Sequence, residues 1–341
     1  MSGVEVSLGL FPTEAPDRIV DLIRLAEDLG YGCVWLGDSQ MIWREAFVVL
    51  GAAALATSRI KLASGVTNPV TRDPAVLAAA FQTLAELSNG RVRLGIGTGD
   101  SSVETLGKRP ATLADLEAAI QLMRGLLAGQ TVPHPASDMQ VRLTYAQPSQ
   151  AAPPVYVAVS SPRIHRLAGR VADGAIVLVG TDPDFLKASW QELEKGAAER
   201  TPPRDLRAEG FRVVCWTPCS IQSDGAAARA AVKAHVARVL KRKLPFELDS
   251  ATMRVVEQIR EQYEYYEHMV PGTAHGKLVP DELVERFAIA GTPTEARDQL
   301  ARLAASGLVD EIAIIPHTPE PVEREQIIRM VGEMLPLRPS L

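Results

Sequence analysis

The chain is expected to fold as an α/β protein, a (β/α)8 TIM barrel with an extra helical insertion in its C-terminal third. Apolar runs of strand length alternate with segments of helical periodicity, and eight such runs occur. The length of 341 residues is one that barrels of this kind reach as a single unit. An open doubly wound sheet is the alternative reading of the same alternation.

The first strand candidate starts at Val4 in "VEVSLGLF", and Ile19, Leu22, Ile23, Ala26 and Leu29 then fall at helical spacing. Gly30 and Gly32 end that helix, and the second strand starts at Cys33 in "CVWLG". "AFVVLGAAALAT" reads as helix, "RIKLASGV" as a strand from Ile60, and "PAVLAAAFQTLAEL" as a helix stopped by Asn89-Gly90. A strand from Val92 and the helix "LADLEAAIQLMRGLLAG" follow, then a proline-containing loop or small hairpin over 130–154. Strands from Val155, Gly174 and Phe211 are separated by "PRIHRLAGRVA" and "DPDFLKASWQELEKGAAE". Over 224–286 helices succeed one another without a strand, and a last strand starts at Glu311. The expected organisation is one domain over 1–341 with the insertion at 224–286.

A net charge of −5 carries no footprint for nucleic acid, and Lys241-Arg242-Lys243 reads as the solvated end of a helix. Cys33, Cys215 and Cys219 form neither a disulfide framework nor a CxxC pair, so buried inert thiols are expected. With no signal peptide and no apolar run long enough to span a bilayer, a cytoplasmic protein without membrane contact is expected. The six histidines make no HxH or HExxH arrangement and no GxSxG elbow occurs, which argues against a metal centre and against acyl transfer.

In a barrel, chemistry belongs at the C-terminal strand ends. That rule selects Phe11, Asp38, Trp43, Arg72, Asp100 and a set of glycines and hydroxyls. Gly97 and Gly99 in "GTGD" would let a planar ring or a phosphate approach the backbone, with Thr98 offering a hydroxyl; a tight turn leaving the strand explains them equally well. Ser160 and Ser161 precede Pro162, a favoured first helical residue, so they suit either a phosphate at the helix start or a simple cap. Trp35, Trp43 and Phe11 suit apolar walls or core. Tyr263, Tyr266 and His268 suit a lid or packing. Asp38 equally suits a helix cap or a partner of Arg44.

Across "SGVTNPVTRDPAVLAAAFQTLAELSNGRVRLGIGTGD" the chain resembles the bacterial-luciferase-like flavin oxidoreductase superfamily, in particular its methylenetetrahydromethanopterin reductase branch, which uses the deazaflavin coenzyme F420. The resemblance returns in "PPVYVAVSSPRIHRLAGRVADGAIV" and "ERFAIAGTPTEARDQLARLAASGLVDEIAI". It implies a cis Gly65–Val66 peptide behind the ring, with Asp38, Thr67, Asn68 and Asp100 around it. Thr98, Gly99, Ser160 and Ser161 would lie toward the ribityl-phosphate tail. Two positions depart from the pattern. Ser39 follows Asp38 where many relatives have a histidine, and Gly9 stands roughly where the reductase branch has a glutamate.

The function expected from this resemblance is hydride transfer between F420 and a small organic substrate other than the methanogenic pterin. Asp38 or Asp100 would manage the proton, as a carboxyl whose pKa the apolar mouth raises. One alternative is an FMN-dependent monooxygenase served by a separate flavin reductase; another is a non-catalytic flavin- or F420-binding barrel. The alanine-rich face of "VVLGAAALAT" suggests a homodimer.

Overall fold

The structure, a computed structural model, describes residues 3–146, 152–263, 267, 270–318, 320 and 323–335. Eight parallel strands close on themselves: β1 (Glu5–Leu10), β2 (Cys33–Leu36), β3 (Lys61–Ser64), β4 (Val92–Ile96), β7 (Val155–Val159), β8 (Gly174–Val177), β9 (Arg212–Ile221) and β11 (Glu311–Pro316). Closure comes from β11 pairing with both β9 and β1, in the registers Ile314↔Thr217 and Glu5↔Glu311. Every expected strand is present and the open sheet is excluded. Between β4 and β7, β5 (Val132–Pro133) and β6 (Gln140–Val141) form a small antiparallel hairpin.

Period-two alternation decides which side chains fill the barrel. Leu8, Val34, Leu62, Leu94 and Val157 face the surrounding helices and join the main apolar core. Trp35, Ala63, Tyr156, Ile176, Val214, Trp216, Ala313 and Ile315 form a second cluster inside the barrel. At the N-terminal strand ends a charged layer closes it. Arg93 Nη1 lies 2.5 Å from Glu311 and its Nη2 3.2 Å from Glu5, while Trp35 Nε1 donates to Glu311 at 2.7 Å. Burial pushes the Tyr156 hydroxyl above this layer up to about 12.

The helices follow their capping signals. Thr112 and Asp115 make a capping box on α5 (Leu113–Leu127), and Thr292 with Glu295 does so on α12 (Pro293–Ala305). Asn89, at φ +53°, and Gly90 end α3 (Pro74–Leu87). Beyond β9 the chain runs through α8 (Gly225–Leu240), α9 (Ser250–Gln262), α10 (Ala274–Lys277) and α11 (Asp281–Phe287). It then makes a strand absent from the sequence reading, β10 (Ile289–Gly291), which extends the sheet along the last turn of β9. Among the described residues no helix is long and apolar enough to cross a membrane. Cys33, Cys215 and Cys219 are buried thiols, and burial pushes Cys215 and Cys219 up to about 12.

Candidate active site

The C-terminal strand ends open into a cleft of about 800 Å³, counting the solvent space at its rim. Its floor and walls include Gly65, Val66, Thr67, Gly97, Thr98, Gly99 and Ser160, with Asp38 and Asp100 at its edge. The Gly65–Val66 peptide is cis. Gly99 has φ +100°, and a Cβ there would lie 2.3 Å from Val103 Cγ2, so the turn after β4 requires glycine. Val66, Ala158, Ile176 and Leu178 give the cleft an apolar bed, while Ser39, Ser101, Ser102 and Ser160 place hydroxyls around it.

Two expected positions do other work. Asn68 is buried: its Nδ2 donates to Ser102, and its Oδ1 accepts from the Val70 and Thr71 amides. It shapes the loop behind the cleft. Ser161 precedes α6 (Pro162–Val171) without capping it through its side chain, and its carbonyl accepts from the His165 amide.

Phe11 and Trp43 stack at 4.4 Å and line the cleft as expected, but Trp35 is fully buried beneath it. Trp216, which the sequence reading did not select, lines the cleft instead. A Cβ on Gly9 would lie 2.9 Å from Ile315 Cγ1 and 3.1 Å from the Trp216 indole, so an apolar wall stands where a strand-one acid would project. The Trp216 Nε1 is buried and has no hydrogen-bond partner among the described residues. Of the suggested lid, Tyr263 packs under Lys241, 3.7 Å from its Nζ to the ring centroid, whereas Tyr266 and His268 fall outside the described residues.

Asp38 is buried at the cleft edge. Its Oδ2 accepts from Thr67 Oγ1 at 2.8 Å, and its Oδ1 from Arg72 at 3.2 Å. Arg44, which the sequence offered beside a helix cap as the alternative role for Asp38, turns instead to the Thr13 carbonyl.

Asp100 overturns the expectation of a raised carboxyl. Its Oδ2 accepts from Arg238 at 3.0 Å and also from Arg242. Burial alone would raise its pKa, but Arg242, Arg238 and Lys241 outweigh burial and hold it well below the usual carboxylate range. It is a fixed anion, unsuited to donating a proton. The Lys241-Arg242-Lys243 cluster is corrected with it. Only Lys243 is exposed; Arg242 lines the cleft, and burial pushes Lys241 down to about 8. The sequence signal was the run of cations at the C-terminal end of α8, with Arg238 in its last turn and Arg242 just beyond its cap.

A closed barrel with a glycine- and hydroxyl-lined mouth over an apolar bed has the architecture of a (β/α)8 enzyme, with its cleft at the C-terminal strand ends. The luciferase-like monooxygenase family model matches residues 3–310, and the chain belongs to that family. It is 28% identical over 321 residues to 5,10-methylenetetrahydromethanopterin reductase of Archaeoglobus fulgidus, covering 92% of this chain and 93% of that protein. It is also 33% identical over 206 residues to F420-dependent glucose-6-phosphate dehydrogenase of Microbacterium testaceum, covering 56% of this chain and 61% of that one. The solved coenzyme F420-dependent tetrahydromethanopterin reductase of Methanopyrus kandleri superposes with a TM-score of 0.75 at 25% identity, covering 98% of both chains. The chain is thus a luciferase-like enzyme with oxidoreductase relatives.

Proposed function

We propose that this protein is an F420-dependent oxidoreductase that moves a hydride between the deazaflavin and a small organic substrate. The observation that carries the proposal is the apolar bed of Val66, Ala158, Ile176 and Leu178, bordered by glycine backbone and hydroxyls, in a chain similar to a dehydrogenase and a solved reductase that are both named as F420-dependent. These residues fit a planar ring. Gly97 leaves the bed open, since a Cβ there would already press on Val66 Cγ2 at 3.3 Å. Gly65, Val66, Thr67, Gly97, Thr98, Gly99 and Ser160 would hold the group, which when bound supplies the two-electron hydride chemistry.

The chain's own residues supply the rest. Phe11, Trp43 and Trp216 exclude water and favour an apolar substrate face. With Asp100 committed to two guanidiniums, Asp38 is the cleft carboxylate left to handle a proton, at Oδ1 or Oδ2, with Thr67 and Arg72 orienting it.

Fluorescence quenching on titration with F420 and with FMN tests the reading. Micromolar F420 binding with weaker FMN binding, and substrate turnover without oxygen, is expected. Tight FMN binding with oxygen-dependent turnover would favour the FMN monooxygenase reading, which the family description supports, and would require a separate flavin reductase. Binding without turnover of any substrate would favour a cofactor-binding barrel.

The homodimer rests on α2 (Ala46–Ala56). Its outer face exposes Val48 and Leu55, 69% and 74% accessible, beside Val76 of α3. A second copy of this chain would cover that stripe.

A further inference from the structure

We infer that Arg238 and Arg242 form a subsite for an oxyanion, a phosphate or carboxylate group carried by a bound ligand, and that the Asp100 carboxylate competes with that group for the two guanidiniums. The inference goes beyond the redox reading and holds whichever ring the cleft takes.

Arg238 sits in the last turn of α8 and Arg242 just beyond its C-cap Lys241, and both side chains line the cleft. Both direct an Nη2 at the same oxygen, Oδ2 of Asp100. A guanidinium presents five donors in a fork suited to two oxygens at once. Here the Nε–H of Arg238 and the Nε–H of Arg242 are both buried and have no partner among the described residues. Buried donors of this kind are satisfied when a partner is present, and one carboxylate oxygen cannot serve them all.

The charges agree. Arg238, Lys241 and Arg242 face Asp100, with Glu104 acting on Lys241 from outside the cleft, so cations outnumber carboxylates. The depressed Lys241 ammonium reports burial, with the neighbouring arginines adding to it. The same cleft is lined by Thr98, Ser101, Ser102 and Ser160, neutral hydroxyls that can accept from or donate to a phosphate without repelling it. Asp100 is the first residue beyond Gly99 and precedes α4 (Ser101–Glu104) without capping it through its side chain. The arginines are what hold it.

The predicted signature is opposite in sign for the two partners, which a purely structural ion pair would not give. Inorganic phosphate is titrated calorimetrically into the full chain, into Asp100→Asn, and into Asp100→Asn combined with Arg242→Met. Removing the resident carboxylate should tighten phosphate binding about tenfold over the unsubstituted protein, and adding Arg242→Met should reverse that gain, a change of about 1.4 kcal/mol in each direction. Replacing the methionine by lysine should restore part of the affinity, because a point charge remains without the fork. The absence of phosphate binding to Asp100→Asn, or equal affinity with and without Arg242, overturns the inference.

A second arm separates the sources of the anion. If F420 displaces the phosphate while a deazaflavin truncated before its phosphate does not, the subsite holds the cofactor's tail. If phosphate binds undiminished beside bound F420, the anion belongs to the substrate. Failure of F420 to bind at all would defeat the deazaflavin reading and leave the phosphate comparison decisive for the subsite.

Discussion

Two buried histidines make the protein's stability depend on pH in a window where no carboxylate interferes. His165 is fully buried, with Nδ1 2.8 Å from the Ser161 carbonyl and Nε2 3.1 Å from the Ser189 hydroxyl; burial pushes its pKa down to about 4. His317, at the end of β11, has Nε2 2.8 Å from His235 Nδ1, and burial with nearby Arg324 and Arg238 pushes it down to about 3. In the unfolded chain both titrate near pH 6.5. The folded state therefore refuses protons that the unfolded state takes up, and stability is lost as pH falls below about 6.5. At pH 5 each ring costs about 2 kcal/mol relative to pH 7.5, about 4 kcal/mol together, and unfolding takes up close to two protons. Carboxylates with depressed values, such as Glu27 and Glu192, add their loss only below about pH 4.5. Lys241, pushed down to about 8, has completed its contribution above the window. Urea unfolding followed by tryptophan fluorescence at half-unit steps from pH 5 to 7.5 measures the slope. A change under about 1 kcal/mol across that range, or an unchanged slope in His165→Asn with His317→Asn, would refute the reasoning.

Three further outcomes are expected. Arg93→Met leaves Glu311, which is wholly buried, without its closest cation, and should cost about 3–5 kcal/mol in urea unfolding. Pairing it with Glu311→Gln should recover most of that loss. Val48→Glu with Leu55→Glu should convert a dimer to a monomer by light scattering at micromolar concentration while leaving the far-ultraviolet spectrum unchanged, since both side chains are exposed. Asp38→Asn should lower turnover about 100-fold or more with cofactor affinity nearly unchanged, as read by stopped-flow and fluorescence titration.

Strand placement was legible because a barrel strand needs only a short apolar run, and observed starts fall within one residue of the sequence reading, as at Glu5, Lys61 and Arg212. β10 was not legible: Ile289-Ala290-Gly291 follows Phe287 almost directly, without a turn signal, and becomes a strand only because β9 is long enough to pair with it. The glycines of the cleft were legible through their cost to an ordinary strand end. The fate of Asp100 was not, because its partners lie 138 and 142 residues away, in the last turn of α8 and just past its end, and no local pattern encodes the course of that segment over the mouth. Trp35 and Trp216 show the same limit. Alternation places both inside the barrel, but only depth along the axis separates the one anchored to Glu311 from the one lining the cleft.

The layer of Glu5, Arg93, Arg212 and Glu311 shuts the far end of the barrel, so among the described residues ligands share the mouth at the C-terminal strand ends. Where a group resting on the bed beside Val66 is covered by one that touches Phe11 or Trp43, the second to arrive blocks the exit of the first. Kinetics should then be ordered. The deeper ligand enters first and leaves last, and an excess of the outer one should slow its escape.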